Sequence, residues 1–416
     1  MTHSFIYKLI FTFLVCVFSS VAMAELELRI SKTSDDGIPI YLANIPGGAN
    51  GIIEADLKRS GRFTVINRSK INNMPAYGSN LNGGAYANIA DYIVRGKPLN
   101  GGLEVELTST SDNAKTIYKI SSNSNERRVA HQAADKIYEK ITRKKGAFDT
   151  RLAYVTVTNK TSKNRVFKLY VADSDGHRPN AILTSRLPVM SPAWSPNAQQ
   201  LAYVSFEENT SAIYVQNIFT GQKRKISARD GINGAPAWSP DGNRLAMSLS
   251  ISGSPDIYIA NVNNGQLKRV TTSDAIDTEP SWSGTNSIVF TSNRGGSAQL
   301  YRISASGGAA QRLTFDGKYN SAADVANKKI AFVKGNGGSF NIALRAIDSS
   351  GADTLSNGQL DESPTLSPNG AMVAYTTLKN GDNTLAVVSD NAKSRQFLTS
   401  PVGDVREPAW SPYLNR

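Results

Sequence analysis

Short apolar runs recur through the C-terminal two-thirds of the chain, each bounded by Gly, Pro, Asn, Asp or Ser. Such runs predict β-strands, because branched and aromatic side chains fit a pleated, half-buried surface. Five runs share a spacing: LAYVS from Leu201, LAMSL from Leu245, IVFTS from Ile288, IAFVK from Ile330 and VAYTT from Val373. A further run follows each of them, and four of the five are followed by one more, which predicts units of about four antiparallel strands.

Each unit is preceded by a version of APAWSPDG, the stretch at residues 235–242. Its central apolar residue falls at Trp194, Trp238, Trp282, Leu366 and Trp410, with spacings of 44, 44, 84 and 44 residues. The double spacing leaves room for a degenerate copy at residues 322–325. Because the period lies within the range of about 40–50 residues typical of propeller blades, six copies predict a six-bladed β-propeller.

The ends of the array predict how the ring closes. The first unit has strands from Leu152 and Lys168 but no motif before them, whereas the last motif, from Glu407, has no strands after it. Pairing the C-terminal strand with the three N-terminal strands completes a sixth blade and leaves no open sheet edge.

The region before the propeller has a non-repeating pattern of strands and two helices. LELRIS from Leu26 predicts a strand, and residues 50–60 predict a helix with Asn50 as its cap and Gly61 as its stop. Residues 125–142 place apolar side chains at helical spacing and predict a second, amphipathic helix.

We therefore predict two domains. The first is a small N-terminal α/β domain with a mixed sheet and two helices, at residues 25–145. The second is a six-bladed β-propeller closed by the C-terminal strand, at residues 146–416.

Residues 1–24 predict a cleaved signal peptide. Lys8 provides a short positive region, residues 9–17 are apolar, and residues 22–24 form a small-x-small cleavage site. The only cysteine, Cys16, lies inside this segment, so the exported chain is predicted to have no disulfide. No later stretch is long and apolar enough to cross a membrane.

The formal net charge of +12 allows a nucleic-acid partner in principle. The longest basic run is only Arg143-Lys144-Lys145, and the chain is predicted to be exported. We therefore predict no nucleic-acid partner.

The sequence offers no recognisable catalytic or metal-binding set. Outside the signal segment His131 and His177 are the only histidines, and no HExxH, CxxC or GxSxG stands anywhere. His131 is predicted to have a packing or surface role, and His177 to lie in the hairpin turn DSDGH. We predict no catalytic residue, metal or cofactor.

Protein binding is the remaining chemistry, at the mouth of the propeller. Residues just before the innermost strands would surround one opening, and several are acidic or small. The alternative is that these residues only cap the strand ends. The mouth residues taken from the repeat are Ile232, Asn233, Ala235, Thr278, Glu279, Asp324, Glu362 and Arg406.

Several segments together resemble the TolB family over the whole chain. They are AHQAADKIYEKITRKKGAFDTRLAYV across the domain junction, MSPAWSP from Met190, NGAPAWSPDG from Asn233, TEPSW from Thr278 and the terminal PAWSPYL. A generic blade repeat would account for the WSPDG pieces, but not for the junction segment or the C-terminus.

The resemblance implies a monomeric, non-enzymatic periplasmic protein of the Gram-negative Tol-Pal system. It implies binding of the outer-membrane lipoprotein Pal at a mouth that includes Ala235 and Thr278, together with Asn233 and Glu279. The family often has histidine just before Asn233, where this chain has Ile232. Other outer-membrane lipoproteins or porins are further candidate partners, and the function implied is outer-membrane integrity and constriction at cell division.

The resemblance also implies that the extreme N-terminus of the exported chain binds TolA of the inner-membrane complex. That segment is Glu25, Leu26, Glu27, Leu28, Arg29, Ile30 and Ser31. Two alternatives from other classes are a propeller that binds glycan or peptidoglycan directly and a propeller that gates a hydrolase. The N-terminal region has neither the length nor the nucleophile motif of a hydrolase domain.

Overall fold

A computed structural model of the chain describes residues 37–43, 45–121, 126–159, 163–398 and 403–414. Within those residues the first sheet has five strands in the order β2-β1-β3-β4-β5. Its strands are β1 (Ile38–Ala43), β2 (Phe63–Val65), β3 (Tyr92–Leu99), β4 (Gly102–Ser109) and β5 (Lys115–Ser121). The sheet is mixed, as predicted, because β1 runs parallel to β3 while β3, β4 and β5 are antiparallel.

Two α-helices accompany this sheet, α1 (Ala49–Arg59) and α2 (Glu126–Thr142). Ile53 and Leu57 of α1 are fully buried, as the predicted apolar face requires. The predicted cap was wrong: Gly48 precedes the first turn without a side-chain cap, and Asn50 lies buried inside the helix. Two short 3-10 helices, Arg68–Lys70 and Gly83–Tyr86, lie between β2 and β3. Neither α-helix in the described ranges has the length and hydropathy of a membrane span.

Six four-stranded antiparallel sheets form the propeller blades. Blade 1 consists of β29 (Asp404–Trp410), β6 (Arg151–Thr158), β7 (Val166–Asp173) and β8 (Asn180–Ser185). Blade 2 consists of β9 (Val189–Trp194), β10 (Gln200–Ser205), β11 (Ala212–Asn217) and β12 (Lys223–Ser227). Blade 3 consists of β13 (Asn233–Trp238), β14 (Arg244–Leu249), β15 (Asp256–Asn261) and β16 (Leu267–Arg269).

The remaining blades repeat the same unit. Blade 4 consists of β17 (Asp277–Trp282), β18 (Ser287–Ser292), β19 (Gln299–Ser304) and β20 (Gln311–Arg312). Blade 5 consists of β21 (Tyr319–Ala326), β22 (Lys329–Gly335), β23 (Phe340–Ala346) and β24 (Asp353–Thr354). Blade 6 consists of β25 (Glu362–Leu366), β26 (Met372–Lys379), β27 (Asp382–Ser389) and β28 (Arg395–Phe397).

The ring closes through blade 1, as the ends of the array predict. β29 pairs antiparallel with β6, from Asp404 opposite Val157 to Trp410 opposite Leu152. Each innermost strand also contacts the innermost strands of both neighbouring blades. The degenerate copy at residues 322–325 lies in β21, which confirms six blades. The domain boundary at residue 145 stays a prediction, since residues 39–416 pack as one compact unit.

Candidate functional site

All six innermost strands are interrupted by a β-bulge at the same repeat position. At each bulge a non-glycine residue has a φ between 45° and 53°. These bulge residues are Glu407, Ser191, Ala235, Glu279, Ala322 and Ser363 in blades 1 to 6. Such backbone is strained, and a bulge turns its side chain out of the regular alternation. Here the bulges direct six residues to the centre of the ring.

The bulge residues line a central cavity of about 460 Å³. The residue after the bulge also lines it, and this is proline in five of the six blades. The charged groups of the lining are Glu279, Glu362, Glu407 and Arg406. Three carboxylates face one guanidinium, so the opening favours a positively charged group from a partner.

Glu279 and Glu407 occupy blades three apart in a ring of six and therefore lie on opposite sides. A Glu279 carboxylate oxygen accepts hydrogen bonds from the amide of Ala322, at 2.8 Å, and from the hydroxyl of Thr291, at 2.7 Å. Glu407 accepts the equivalent bond from the amide of Ser191. Burial raises the pKa of Glu407 and the charge of Glu362 adds to this, while the Ser191 amide opposes it. Both carboxylates thus bridge to the next blade.

Exposed apolar side chains precede the cavity-lining bulge residues in four adjacent blades. The position three residues before the bulge holds Ile232, Ile276, Tyr319 and Leu360 in blades 3 to 6, with exposures of 52%, 49%, 39% and 38%. We call these four residues the apolar crescent. The equivalent positions in blades 1 and 2 hold Asp404 and Pro188. One repeat position thus carries an exposed apolar side chain in four adjacent blades.

Six of the eight predicted mouth residues lie at the opening. Ile232 belongs to the apolar crescent, while Ala235, Glu279, Glu362 and Arg406 line the cavity. Thr278 is half-buried beside the Glu279 bulge, and its hydroxyl accepts a hydrogen bond from Ser248 at 3.2 Å.

Asn233 and Asp324 have other positions than the predicted ones. Asn233 is fully buried. Its side-chain oxygen accepts a hydrogen bond from the backbone N–H of Arg229 at 3.1 Å, and its side-chain NH₂ donates to the backbone carbonyl of Arg229 at 2.7 Å. It therefore fixes the loop before β13. Asp324 lies beyond the bulge and accepts from the amide of Leu366 at 2.7 Å, so it joins blade 5 to blade 6. Burial raises the pKa of this carboxyl.

Sequence reasoning missed three members of the apolar crescent, Ile276, Tyr319 and Leu360. The signal was present, because each stands three residues before a bulge, as Ile232 does. The segment predicted to bind TolA, residues 25–31, lies outside the described residues.

The two histidines differ from each other. His177 is exposed in the turn between β7 and β8, as predicted. His131 is buried, and with Asp173 and Asp175 it brings possible metal ligands within 4.8 Å of one another. Arg127 pairs with both of these carboxylates. These contacts make the group a largely buried ion-pair network.

The fold and the mouth define a class: a six-bladed propeller scaffold with a mixed α/β domain before it. The sequence matches the TolB amino-terminal domain over residues 26–109 and the TolB beta propeller domain over residues 138–414. The chain belongs to the TolB family. TolB proteins are non-enzymatic components of the Tol-Pal system, so the prediction that the protein is not an enzyme is confirmed.

Named relatives support this assignment. The chain is 45% identical to the Tol-Pal system protein TolB of Xanthomonas oryzae pv. oryzae (strain MAFF 311018), with 97% of each chain covered. The crystal structure of TolB from Acinetobacter baumannii is similar with a TM-score of 0.84 and 36% identity, covering 92% of this chain and 98% of that one. A nidogen/laminin complex chain, at 11% identity and a TM-score of 0.53 over 64% of this chain and all of that one, shares the fold alone.

Proposed function

We propose that this protein joins two partners in the periplasm of a Gram-negative bacterium. The propeller mouth binds the outer-membrane lipoprotein Pal, and residues 25–31 bind TolA of the inner-membrane complex. The joined system maintains the outer membrane and its constriction at cell division.

The apolar crescent is the observation that carries this proposal. Four large apolar side chains on adjacent blades cost free energy in water, and a protein partner that covers them recovers roughly 25 cal/mol for each Å² of apolar surface. The cavity beside them offers Glu279, Glu362 and Glu407 to a basic side chain. Apolar contact on one side and charge at the centre suit a folded protein domain that inserts a loop.

The mouth proposal is tested by isothermal titration of the protein with the soluble domain of its own organism's Pal. Ile232→Glu places a charge in the apolar crescent and is expected to weaken binding at least about tenfold, or 1.4 kcal/mol. Thr278→Arg fills the approach to the Glu279 bulge and should have the same effect. Melting temperatures of both variants should stay close to that of the parent, because neither side chain is fully buried.

Phe219→Glu is the matched control. Phe219 is 66% exposed in the turn between β11 and β12, on the face of the propeller away from the mouth, so the same change of charge should leave Pal binding intact. The proposal would be contradicted if Phe219→Glu weakened Pal binding as much as Ile232→Glu does. It would also be contradicted if neither Ile232→Glu nor Thr278→Arg weakened Pal binding. Retention of a peptidoglycan fragment by the protein without Pal would favour the glycan-binding alternative.

Deletion of residues 25–31 tests the proposed TolA site independently of the proposed Pal site. The shortened protein should lose binding to the TolA periplasmic domain and keep its Pal affinity. Undiminished TolA binding would rule out the N-terminal segment as the TolA site.

A further inference from the structure

A buried ionic network joins the N-terminal helices to blade 1 of the propeller. We call it the junction cluster, and its members are Asp56, Arg59, Arg127, His131, Asp173 and Asp175. Asp56 and Arg59 lie on α1, Arg127 and His131 lie on α2, and Asp173 and Asp175 lie at the end of β7 and in the turn after it. Opposite charges therefore face each other across the junction.

His131 lies between a carboxylate of each domain. Its Nδ1 is 2.6 Å from the Asp56 carboxylate, and its Nε2 is 3.7 Å from the Asp175 carboxylate. The ring is only 2% exposed, and Nε2 has no hydrogen-bond partner among the residues that the structure describes. Nδ1 thus makes a hydrogen bond within the N-terminal domain. Nε2 faces Asp175 of the propeller, at a distance slightly too long for a hydrogen bond.

The protonation state of His131 decides what its Nε2 does. A neutral ring that donates from Nδ1 to Asp56 presents a lone pair at Nε2, which the negative charge of Asp175 repels. A second proton turns Nε2 into a charged donor aimed at Asp175, and charge-assisted bonds of this kind are about twice as strong as neutral ones. Because Asp175 belongs to the propeller, this second bond would cross between the domains.

We propose that His131 couples proton uptake to docking of the N-terminal domain on the propeller, with the protonated ring bridging Asp56 and Asp175. Docking is then tighter at acidic pH than at alkaline pH. The effect belongs to the junction itself and does not depend on which partner occupies the mouth.

The charges around His131 favour its protonated form. Burial lowers the pKa of His131, but the Asp56 charge and hydrogen bond and the Asp175 charge together outweigh burial, although Arg59 opposes them, so the pKa lies above 6.5. The titratable and charged groups that face this region are Asp56 and Arg59 on α1, Arg127 on α2, and Asp173, Asp175 and Arg178 around the β7–β8 turn. Burial raises the pKa of Asp175, but His131, Arg59 and Arg127 lower it below its usual value, so it remains a carboxylate.

Other contacts hold the domains together at every pH. The Asn391 side chain donates to the Gly61 carbonyl at 2.8 Å, and Arg62 pairs with Asp390 in the turn between β27 and β28. The approach is close, since a Cβ at Gly61 would lie 2.7 Å from the Cβ of Ser389. Deprotonation of His131 is therefore expected to loosen one side of the junction and leave the other in place.

The pKa of His131 measured by NMR in ¹³C-histidine-labelled protein of residues 25–416 tests the proposal. Residues 25–416 contain two of the three histidines of the sequence, His131 and His177, and His177→Gln assigns the signals. The His131 pKa should exceed 6.5, and Asp175→Asn should reduce its proton affinity about tenfold. Asp274→Asn, at an exposed position on the mouth face, should leave the pKa unchanged. A His131 pKa below 6.5, or one that Asp175→Asn does not lower, would overturn the proposal.

Thermal unfolding gives a second readout. A raised folded-state pKa stabilises most at pH values below 6.5, and this stabilisation is lost as pH rises through the folded pKa. The difference in melting temperature between the parent and His131→Gln should therefore be largest near pH 5.5 and shrink toward pH 8.5, while His177→Gln shows no such trend. A difference that is independent of pH, or that grows as pH rises, would contradict the proposal. If His131→Gln does not fold, the NMR measurement decides alone.

Discussion

Asp135 shows how the fold changes the acidity of a single side chain. Its two carboxylate oxygens accept from the amides of Phe148, at 2.7 Å, and Asp149, at 3.1 Å, and so fix the segment that enters the propeller. Burial raises the pKa of Asp135 to about 7, against the effect of these two amides. A small cavity that includes Lys145 and Tyr413 lies beside it.

This carboxyl makes stability depend on pH. Between pH 3.8 and about 7 the unfolded chain loses the Asp135 proton while the folded chain retains it. As pH rises through this window, the free energy of unfolding should therefore fall by up to about 1.4 kcal/mol per pH unit. Asp135→Asn, which cannot ionise, should remove that slope in urea titrations at successive pH values, whereas Asp274→Asn should preserve it. An unchanged slope in Asp135→Asn would show that other groups cause it.

The innermost strands bind neighbouring blades through the tryptophan of the repeat. The indole N–H of Trp282 donates to the Ala237 carbonyl of blade 3 at 3.0 Å, and that of Trp194 donates to the Ala409 carbonyl of blade 1 at 3.0 Å. Trp410 instead donates to the Thr150 hydroxyl at 2.8 Å. Trp238 is half-buried, and in the described part of the chain its indole N–H has no hydrogen-bond partner. The tryptophans at this repeat position therefore contribute unequally to the contacts between blades.

These differences predict unequal costs of truncation. Trp282→Ala removes a buried side chain and an inter-blade hydrogen bond and should cost about 3–5 kcal/mol of unfolding free energy. Trp238→Ala should cost less, because part of its ring is already in water and no bond is lost. Chemical denaturation of the two variants provides the comparison. Equal costs would mean that the inter-blade bond adds nothing measurable.

The whole propeller depends on its last strand. β29 supplies the innermost strand of blade 1, and the Trp410 amide also donates to the Thr365 hydroxyl of blade 6 at 2.9 Å. Without β29, both β6 and the side of β25 would face water, and exposed strand edges favour aggregation.

Deletion of residues 404–416 should abolish cooperative unfolding and make the protein aggregate at concentrations at which the full chain stays monodisperse. Differential scanning calorimetry and size-exclusion chromatography test both expectations. Arg406→Ala, which keeps β29 and changes an exposed side chain, serves as the control and should behave like the parent. A monodisperse deletion variant with a sharp transition would mean that five complete blades suffice.

The repeat predicted the six blades, their four strands and the closing strand, because periodic spacing is independent of side-chain detail. The apolar crescent was only partly predictable, since Ile276 and Leu360 become recognisable once the bulge fixes the register. Asp324 was misplaced because the degenerate copy lacks the proline that marks the bulge. The junction cluster could not be predicted, because Asp56 and His131 are 75 residues apart and meet only through packing of α1 against α2.

Closure by the C-terminal strand also sets a time order for biogenesis. The ribosome synthesises β6, β7 and β8 long before β29. Blade 1 therefore remains a three-stranded sheet until residues 404–410 have been synthesised. Premature termination anywhere before residue 404 leaves that sheet unfinished, and such products expose the edge that proteases and chaperones recognise. The opening at the centre of the propeller can therefore form only after β29 has been synthesised.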